Sequence, residues 1–435
     1  MRVLCTATGS PSDAGAMLPL VSAFAAAGHE VLVASTPALR SVFSGAPVRT
    51  AGLLADPEQD LSAGLADASG GRRKSRTRGP AGVGPAAAPF AGAHLSDSCA
   101  ALLPAARDFD PHLVVRDGAE FAGCLVAEAL GLPHVSAPSG AANHLDPRTV
   151  HPALNAHRVR LGLPVRTDPW AVHRYGRLDC MPPQYSFAAP APVPTPLLTY
   201  RQPCETGPDG RVPPWMAELP TDRPLVIAAP GTVPPAAGGR SGGRGRSGGG
   251  GGSGADGRFD DGGLLGAVVT GLSAVDCVAV VATGGTEVPA AAAHARADGI
   301  HLVDRVPRPL LLRCARLFVT HGEYDGIREA VAAGVPMAVI PRSGDQPANA
   351  DRVQALGLGR RICGPAGPDG GPGGPPSPDA IATVCRQLLA DRRVDAEARR
   401  ARLRMLTLPP VESAVARLER LALGAVPAVR RVREQ

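Results

Sequence analysis

A strand–helix–strand alternation runs through this 435-residue chain twice, and that repetition limits the folds open to it more than any other feature. In the first series the apolar run Val3-Leu4-Cys5 is followed by the loop residues Thr8-Gly9-Ser10-Pro11-Ser12. Leu18, Val21, Phe24 and Ala25 then recur at helical spacing up to Gly28, a helix C-cap, and Val31-Leu32-Val33 is the next strand. Pro19 fits a helix's first turn and breaks a helix interior. The helix is therefore expected to start near residues 16–18, leaving Asp13 to Gly15 in the connection after the strand. Residues 112–115, 121–130 and 134–136 continue as strand, helix and strand. The second series reads as a strand at 225–229, a helix at 264–272 and a strand at 275–282. Residues 300–303, 309–314 and 317–320 carry it on to a helix over 325–333, closed by Gly334 with Pro336 beyond. A strand at 336–340, a helix at 347–356 and charged helices over 378–424 complete it. Between the two series, residues 182–220 hold 11 prolines, a linker signal. Two βαβ series in succession imply an α/β protein of two doubly wound, Rossmann-like domains facing across a cleft. Ligands are expected at the carboxyl edges of the strands.

Composition qualifies this reading without displacing it. Of 53 glycines and 46 prolines, 26 lie in residues 234–258 and 364–378, and the remainder of the chain is ordinary for a folded protein. Residues 71–95, rich in Arg, Gly, Pro and Ala, read as a long mobile excursion. The net charge of +6 is equally local: segments 72–78, 240–258 and 430–434 carry +5, +3 and +2, leaving the rest at −4. Solvated arginines account for these segments, and a nucleic-acid role has only their charge behind it. The sole lysine, Lys74, sits in the first of them, which argues against a P-loop or Schiff-base lysine. Fourteen aromatic residues are too few for a base-stacking platform. Nine cysteines never approach C-x-x-C spacing, so neither a zinc ribbon nor a disulfide framework is indicated, and several read as small buried hydrophobes. No stretch is apolar enough for a membrane span and no leader pattern precedes the first strand, so a cytoplasmic protein is expected. His144, His151 and His157 lack ligand spacing, and Asp108-Phe109-Asp110 precedes its strand as a surface turn, so no metal site is expected.

Specific strings carry more than the pattern. The segment Thr320-His321-Gly322-Glu323-Tyr324-Asp325-Gly326-Ile327-Arg328-Glu329-Ala330 is followed in order by Gly334-Val335-Pro336 and by Gly344-Asp345-Gln346-Pro347-Ala348-Asn349-Ala350. Together they resemble the donor signature of GT-B glycosyltransferases of family 1, and more narrowly the antibiotic and enediyne glycosyltransferases of actinomycetes. Pro19-Leu20, Ala27-Gly28-His29-Glu30-Val31, Val114-Val115-Arg116-Asp117, Val212-Pro213-Pro214-Trp215, Gly231-Thr232-Val233 and Asp304-Arg305-Val306-Pro307 agree with it. The resemblance spans nearly the whole chain outside the loops near 71–95, 234–258 and 364–378.

It implies residues 1–200 as an acceptor-binding domain, 201–220 as linker and 221–408 as a nucleotide-sugar domain. A terminal helix and tail, 409–435, would pack back on the first domain. It assigns the donor diphosphate to Thr232, His321, Gly322 and Gly326, the nucleoside to Arg305, Val306 and Glu329, and the donor sugar to Asp345 and Gln346. A strand feeding a short loop and a helix N-terminus suits a diphosphate on physical grounds as well. Inverting members place a catalytic histidine before the first helix, where this chain has Gly15-Ala16. Asp13, assisted by Asp117, is the alternative base, with a helix N-cap as its bland role. Gly326 lacks the hydroxyl usual at its position, and Glu323 brings an anion to the diphosphate loop unless it turns away or pairs with Arg328 or Arg342. The expected activity is inverting, metal-independent transfer of a deoxysugar from a thymidine diphosphate (TDP) donor to a hydroxyl of a small natural product. It needs no cofactor beyond the nucleotide-sugar co-substrate. The rival is a degenerate relative that binds a ligand or partner enzyme, and a homodimer is left open.

Overall fold

The computed structural model describes residues 1–9, 11–56, 88–188, 197–203, 211–231, 261–294, 299–365 and 374–425. Thr232, Lys74, most of the basic and glycine-rich loops and the tail lie outside the described residues. The chain divides into two units, Met1–Cys204 with Leu403–Gln435, and Glu205–Arg402.

The first unit is built on seven parallel strands: β1 (Arg2–Ala7), β2 (Glu30–Ser35), β3 (Arg49–Gly52), β4 (Leu113–Asp117), β5 (His134–Ala137), β6 (Arg177–Asp179) and β7 (Leu197–Thr199). Their order is β3-β2-β1-β4-β5-β6-β7, with Val3 beside Val31 on one flank and Leu113 on the other. Helices cover both faces, which is why β1 and β4 are apolar throughout instead of alternating. Successive side chains still diverge. Val3, Cys5 and Ala7 enter one core with α1 (Pro11–Ala26) and α10 (Val411–Ala425). Leu4 enters the other, with α2 (His94–Phe109), α3 (Ala122–Leu130) and α4 (Pro147–Arg160).

The second unit repeats the plan with β8 (Leu225–Ala229), β9 (Val278–Ala282), β10 (Ile300–Val303), β11 (Leu317–Thr320), β12 (Met337–Val339) and β13 (Gly359–Arg361). The order is β10-β9-β8-β11-β12-β13, again parallel. Its helices include α5 (Asp261–Ser273), α6 (Tyr324–Ala333), α7 (Gln346–Ala355) and α8 (Pro378–Ala390), with α9 (Arg392–Leu406) leading back towards the first unit. Gly334 closes α6 at φ 74°, and Ser377 opens α8 by accepting the Ala380 amide. In each sheet the chain direction of strand addition reverses beside the first strand, between β1 and β4 and between β8 and β11. Such switch points leave a crevice at the carboxyl edge.

Several expectations need correction. The first helix starts at Pro11, not near residues 16–18, so Asp13 lies in its first turn rather than in a loop. Pro11 supplies the fixed φ that suits a first helical position, and Pro19 is carried in the interior. Gln202 donates its side-chain amide to Ala16 O at 2.6 Å, adding a donor in the turn that the missing Pro19 N–H weakens. Of the excursion at 71–95, residues 88–91 form a short helix and His94 opens α2. The proline-rich 182–220 stretch contributes β7 to the sheet. Val275 and Cys277 are buried in the turn before β9, so that strand starts three residues later than expected. Segment 309–314 is helical only over Arg308–Leu311.

Candidate active site

At the β1/β4 switch point two carboxylates come together. Asp13 lies over the backbone of Gly9, whose φ is 84°; a Cβ there would sit 2.9 Å from Asp13 Oδ2. Asp117 ends β4 and is 2 % exposed. Its Oδ1 accepts from the Ala119 amide at 2.8 Å and from Ser139 Oγ at 3.2 Å, while Oδ2 is buried without a hydrogen-bond partner among the described residues. Burial first, and then the negative charge of Asp13, push the Asp117 carboxyl up to about 8. At neutral pH Asp117 therefore carries a proton beside Asp13.

The turn that presents Asp117 is held by side chains that sequence reasoning gave no role. Arg116, fully buried, donates to the carbonyl oxygens of Asp117, Gly118, Glu120 and Val172 at 2.8–3.1 Å, and its guanidinium lies 5.0 Å from the Phe121 ring centre. Glu120 accepts from Thr6 Oγ1 at 2.5 Å and from the first-turn amides of Ala122 and Gly123, which ties the turn to both β1 and α3. Burial raises the Glu120 carboxyl above its usual range, although these donors and Arg116 oppose the shift. No pattern in the sequence marks an arginine as a backbone clamp, because its carbonyl partners converge only after folding.

In the second unit, the β8/β11 switch point presents His321, which is 7 % exposed. Its Nδ1 donates to Ala229 O at 3.2 Å, and its Nε2 lies 3.1 Å from Glu323 Oε1, an ion pair whenever the ring carries both protons. Gly231 (φ 79°) lets the backbone pass this ring, since a Cβ would fall 2.8 Å from His321 Cγ. Gly322 (φ 93°) donates its amide to Thr320 Oγ1. Glu323 is extended at the head of α6 and makes no side-chain cap, so the helix dipole faces the loop. Glu323 thus contacts the histidine, while Arg328 lies 3.7 Å from Asp325 and Arg342 donates to Gly231 O at 3.3 Å. A Cβ at Gly326 would make only ordinary contacts with Arg308, Phe318 and Thr320.

The remaining candidates surround this loop. Asp345 heads α7, and its Oδ2 accepts from Asn349 Nδ2, which also donates to Gly322 O at 2.9 Å. Asn349, unremarked in the sequence, thus couples the Asp345 turn to the His321 loop. Gln346 accepts the Arg342 amide at 2.9 Å through Oε1. Glu329 is paired with Arg308 at 3.1 Å. Arg305 is exposed, and the Arg308 amide donates to Val306 O across Pro307 in a tight turn. Asp110, by contrast, is the left-handed cap of α2 and pairs with Arg2 at 2.7 Å, a surface role. His151 contacts Arg166 O and His157 contacts Ser96, so these histidines have protein partners.

Residues 267–421 match the family model described as erythromycin biosynthesis protein CIII-like, C-terminal domain. The chain carries a glycosyltransferase domain of that family on a GT-B fold. This glycosyltransferase is 27% identical over 394 residues to the aclacinomycin-T 2-deoxy-L-fucose transferase of Streptomyces galilaeus, covering 78% of this chain and 79% of the relative. A shorter match, 42% identical over 65 residues, links it to the oleandomycin glycosyltransferase of Streptomyces antibioticus, about 15% of either chain. Its fold is that of the glycosyltransferase VinC, solved in complex with dTDP, at a TM-score of 0.67 and 23% identity over 97% of this chain and 99% of that one. No helix among the described residues is long and apolar enough to cross a membrane.

Proposed function

We propose that this glycosyltransferase transfers a deoxysugar, with inversion and without a metal, from a TDP-sugar to a hydroxyl of a small, largely apolar natural product. The observation that carries the proposal is the second unit's switch point, where the His321 ring, the Gly322 turn and the head of α6 converge at the carboxyl edge of β11, a setting that suits an anionic group. The dTDP held by VinC and the deoxysugar named in the aclacinomycin relative support the choice of donor. In this scheme Asp345 and Gln346 bind the sugar hydroxyls, Glu329 with Arg305 and Val306 takes the nucleoside, and His321, Gly322, Gly326 and Thr232 surround the diphosphate.

Asp13 removes the proton from the acceptor hydroxyl, the acceptor oxygen attacks the anomeric carbon, and the anomeric bond to the diphosphate breaks. The bonding pair leaves on the phosphate oxygen, where charge builds up. His321 and the α6 amides stabilise that charge, the kind of interaction that favours a transition state over its ground state. Protonated Asp117 keeps the carboxylate pair at a single negative charge. Calorimetric titration tests the donor half: TDP binds the wild type more tightly than uridine diphosphate does, and His321→Ala weakens TDP by at least about tenfold, or 1.4 kcal/mol. Equal affinity in the two proteins removes His321 from the site. Product stereochemistry by NMR and turnover in excess chelator test inversion and metal independence.

A further inference from the structure

At the amino-terminal edge of the first sheet, opposite the Asp117 end of β4, lies a cavity of about 180 Å³ that none of this chemistry uses. Glu128, His134, Arg166, Arg174 and Tyr175 line it. Arg158 takes both oxygens of Glu128, at 2.8 and 2.9 Å, so that carboxylate is already neutralised. Arg166 and Arg174 are left to set the charge of the space. Two polar atoms on its wall are buried and have no hydrogen-bond partner among the described residues, Arg166 Nε and His134 Nδ1. The closest approach recorded for Arg166 Nε is 3.8 Å to Glu128 Oε2. Orphaned polar groups of this kind are destabilising, a loss that an acceptor in the cavity would remove.

A cation is the competing occupant, because Cys124, Glu128 and His134 bring ligand atoms within 4.8 Å of one another. The electrostatics oppose it. Both oxygens of Glu128 are engaged by Arg158, and burial pushes the Cys124 thiol up to about 12, so no thiolate is on offer. Burial and the charges of Arg116, Arg158, Arg166 and Arg174 push His134 down to about 3. The four guanidinium groups, which add to burial in keeping a proton off this ring, repel a metal ion and attract an anion. The protonated Cys124 thiol, 3.7 Å from His134 Nε2, can donate to that nitrogen and leave Nδ1–H facing outward as a donor.

We propose that this cavity binds a small oxyanion, a phosphate or carboxylate group, between Arg166, Arg174 and the Nδ1–H of His134. The volume is about six times a water molecule's share of roughly 30 Å³, enough for such a group with a few waters. Arg166 and Arg174 belong to the segment between α4 and β6, whereas Glu128 and His134 belong to α3 and β5. A bound oxyanion therefore fastens that segment to the sheet. Trp170 lies in the same segment and is one of only two tryptophans, the other being Trp215.

The full-length Trp215→Phe protein makes Trp170 the sole reporter for the test. Inorganic phosphate, titrated at constant ionic strength against chloride, is expected to give a saturable fluorescence change that chloride does not. Acetate, run alongside, tells carboxylate from phosphate preference. Arg174→Met and Arg166→Met, singly and together, are expected to weaken the response, by at least tenfold in the double variant, with circular dichroism reporting that each is folded. Adding His321→Ala to the Trp215→Phe protein is expected to leave it unchanged. Saturation by neither anion, or a response retained in the folded single arginine variants, overturns the proposal. So does a response lost with His321→Ala, which would place the anion in the second unit.

Discussion

Asp117 is a carboxyl group arranged to hold its proton, and the pairing with Asp13 gives the two residues separate tasks. Asp13, only half-buried in the first turn of α1, can meet a substrate hydroxyl; Asp117 is enclosed. General-base work contributes about 10²–10⁴-fold, so Asp13→Asn is expected to lower turnover by that factor while leaving TDP affinity unchanged. Turnover within about threefold of wild type would leave Asp13 with only a helix-terminal role. Asp117 also ties stability to pH. Its folded value of about 8 lies above the usual 3.8, so the native state binds the extra proton between those limits. The contribution is full below about pH 4 and is lost as pH rises towards 8. Asp117→Asn removes that slope, and its melting temperature is expected to gain on the wild type between pH 5 and 8. A constant difference across that range would show that Asp117 does not titrate there. Arg116 and Glu120 hold this arrangement, yet their roles were not legible in advance. An arginine before an aspartate looks like any surface charge until four carbonyl groups close around it.

The loop between β11 and α6 is the element on which donor affinity turns. Glu323 occupies His321 Nε2, the group the proposed diphosphate needs. A carboxylate at about 4–5 Å from a phosphate, at an effective dielectric near 20, repels it by roughly 3–4 kcal/mol, and half-exposure lets the side chain relieve part of this by turning out. Glu323→Gly is expected to tighten TDP binding by at least about tenfold in calorimetry, and weaker binding would mean that the carboxylate helps to orient the histidine. Sequence legibility differed among the elements for physical reasons. Leu225–Ala229 and Leu317–Thr320 were readable to the residue because strands buried on both faces are apolar throughout. Three-residue strands such as Arg177–Asp179 carry too little pattern to detect. The sequence puts the start of α1 near residues 16–18 because Pro19 suits a first turn, whereas the proline at residue 11 already opens the helix. His321, Asp345 and Gln346 stood out through their motif, whereas Asn349, four residues after Asp345, showed its coupling role only in the folded loop.

At the scale of the molecule, two sheets share the order of their first six strands but not one chain arrangement. The second unit is a continuous stretch, whereas the first is completed by residues from the far end of the sequence. Val411, Ala414, Val415, Leu418 and Ala422, spaced along one face of α10, are buried in the core that α1 and β1 build. His29, just past α1, meets Glu419 at 2.7 Å. Val411, Val415 and Leu418 alone represent roughly 5–9 kcal/mol of burial at about 1.5–3 kcal/mol each, comparable with the whole stability of a domain at about 5–15 kcal/mol. A chain ending at residue 410 is therefore expected to lose the cooperative melting of the first unit while the second unit still melts. Calorimetry showing both transitions intact would contradict this. The same feature sets an order of events on the ribosome. The amino-terminal unit leaves the exit tunnel first but cannot close until the last helix has emerged, whereas the unit made second has all six of its strands in hand before then. The half of the chain that is translated first is thus the half that matures last, and through that interval its unclosed α1 face is the part of the nascent protein most in need of a chaperone.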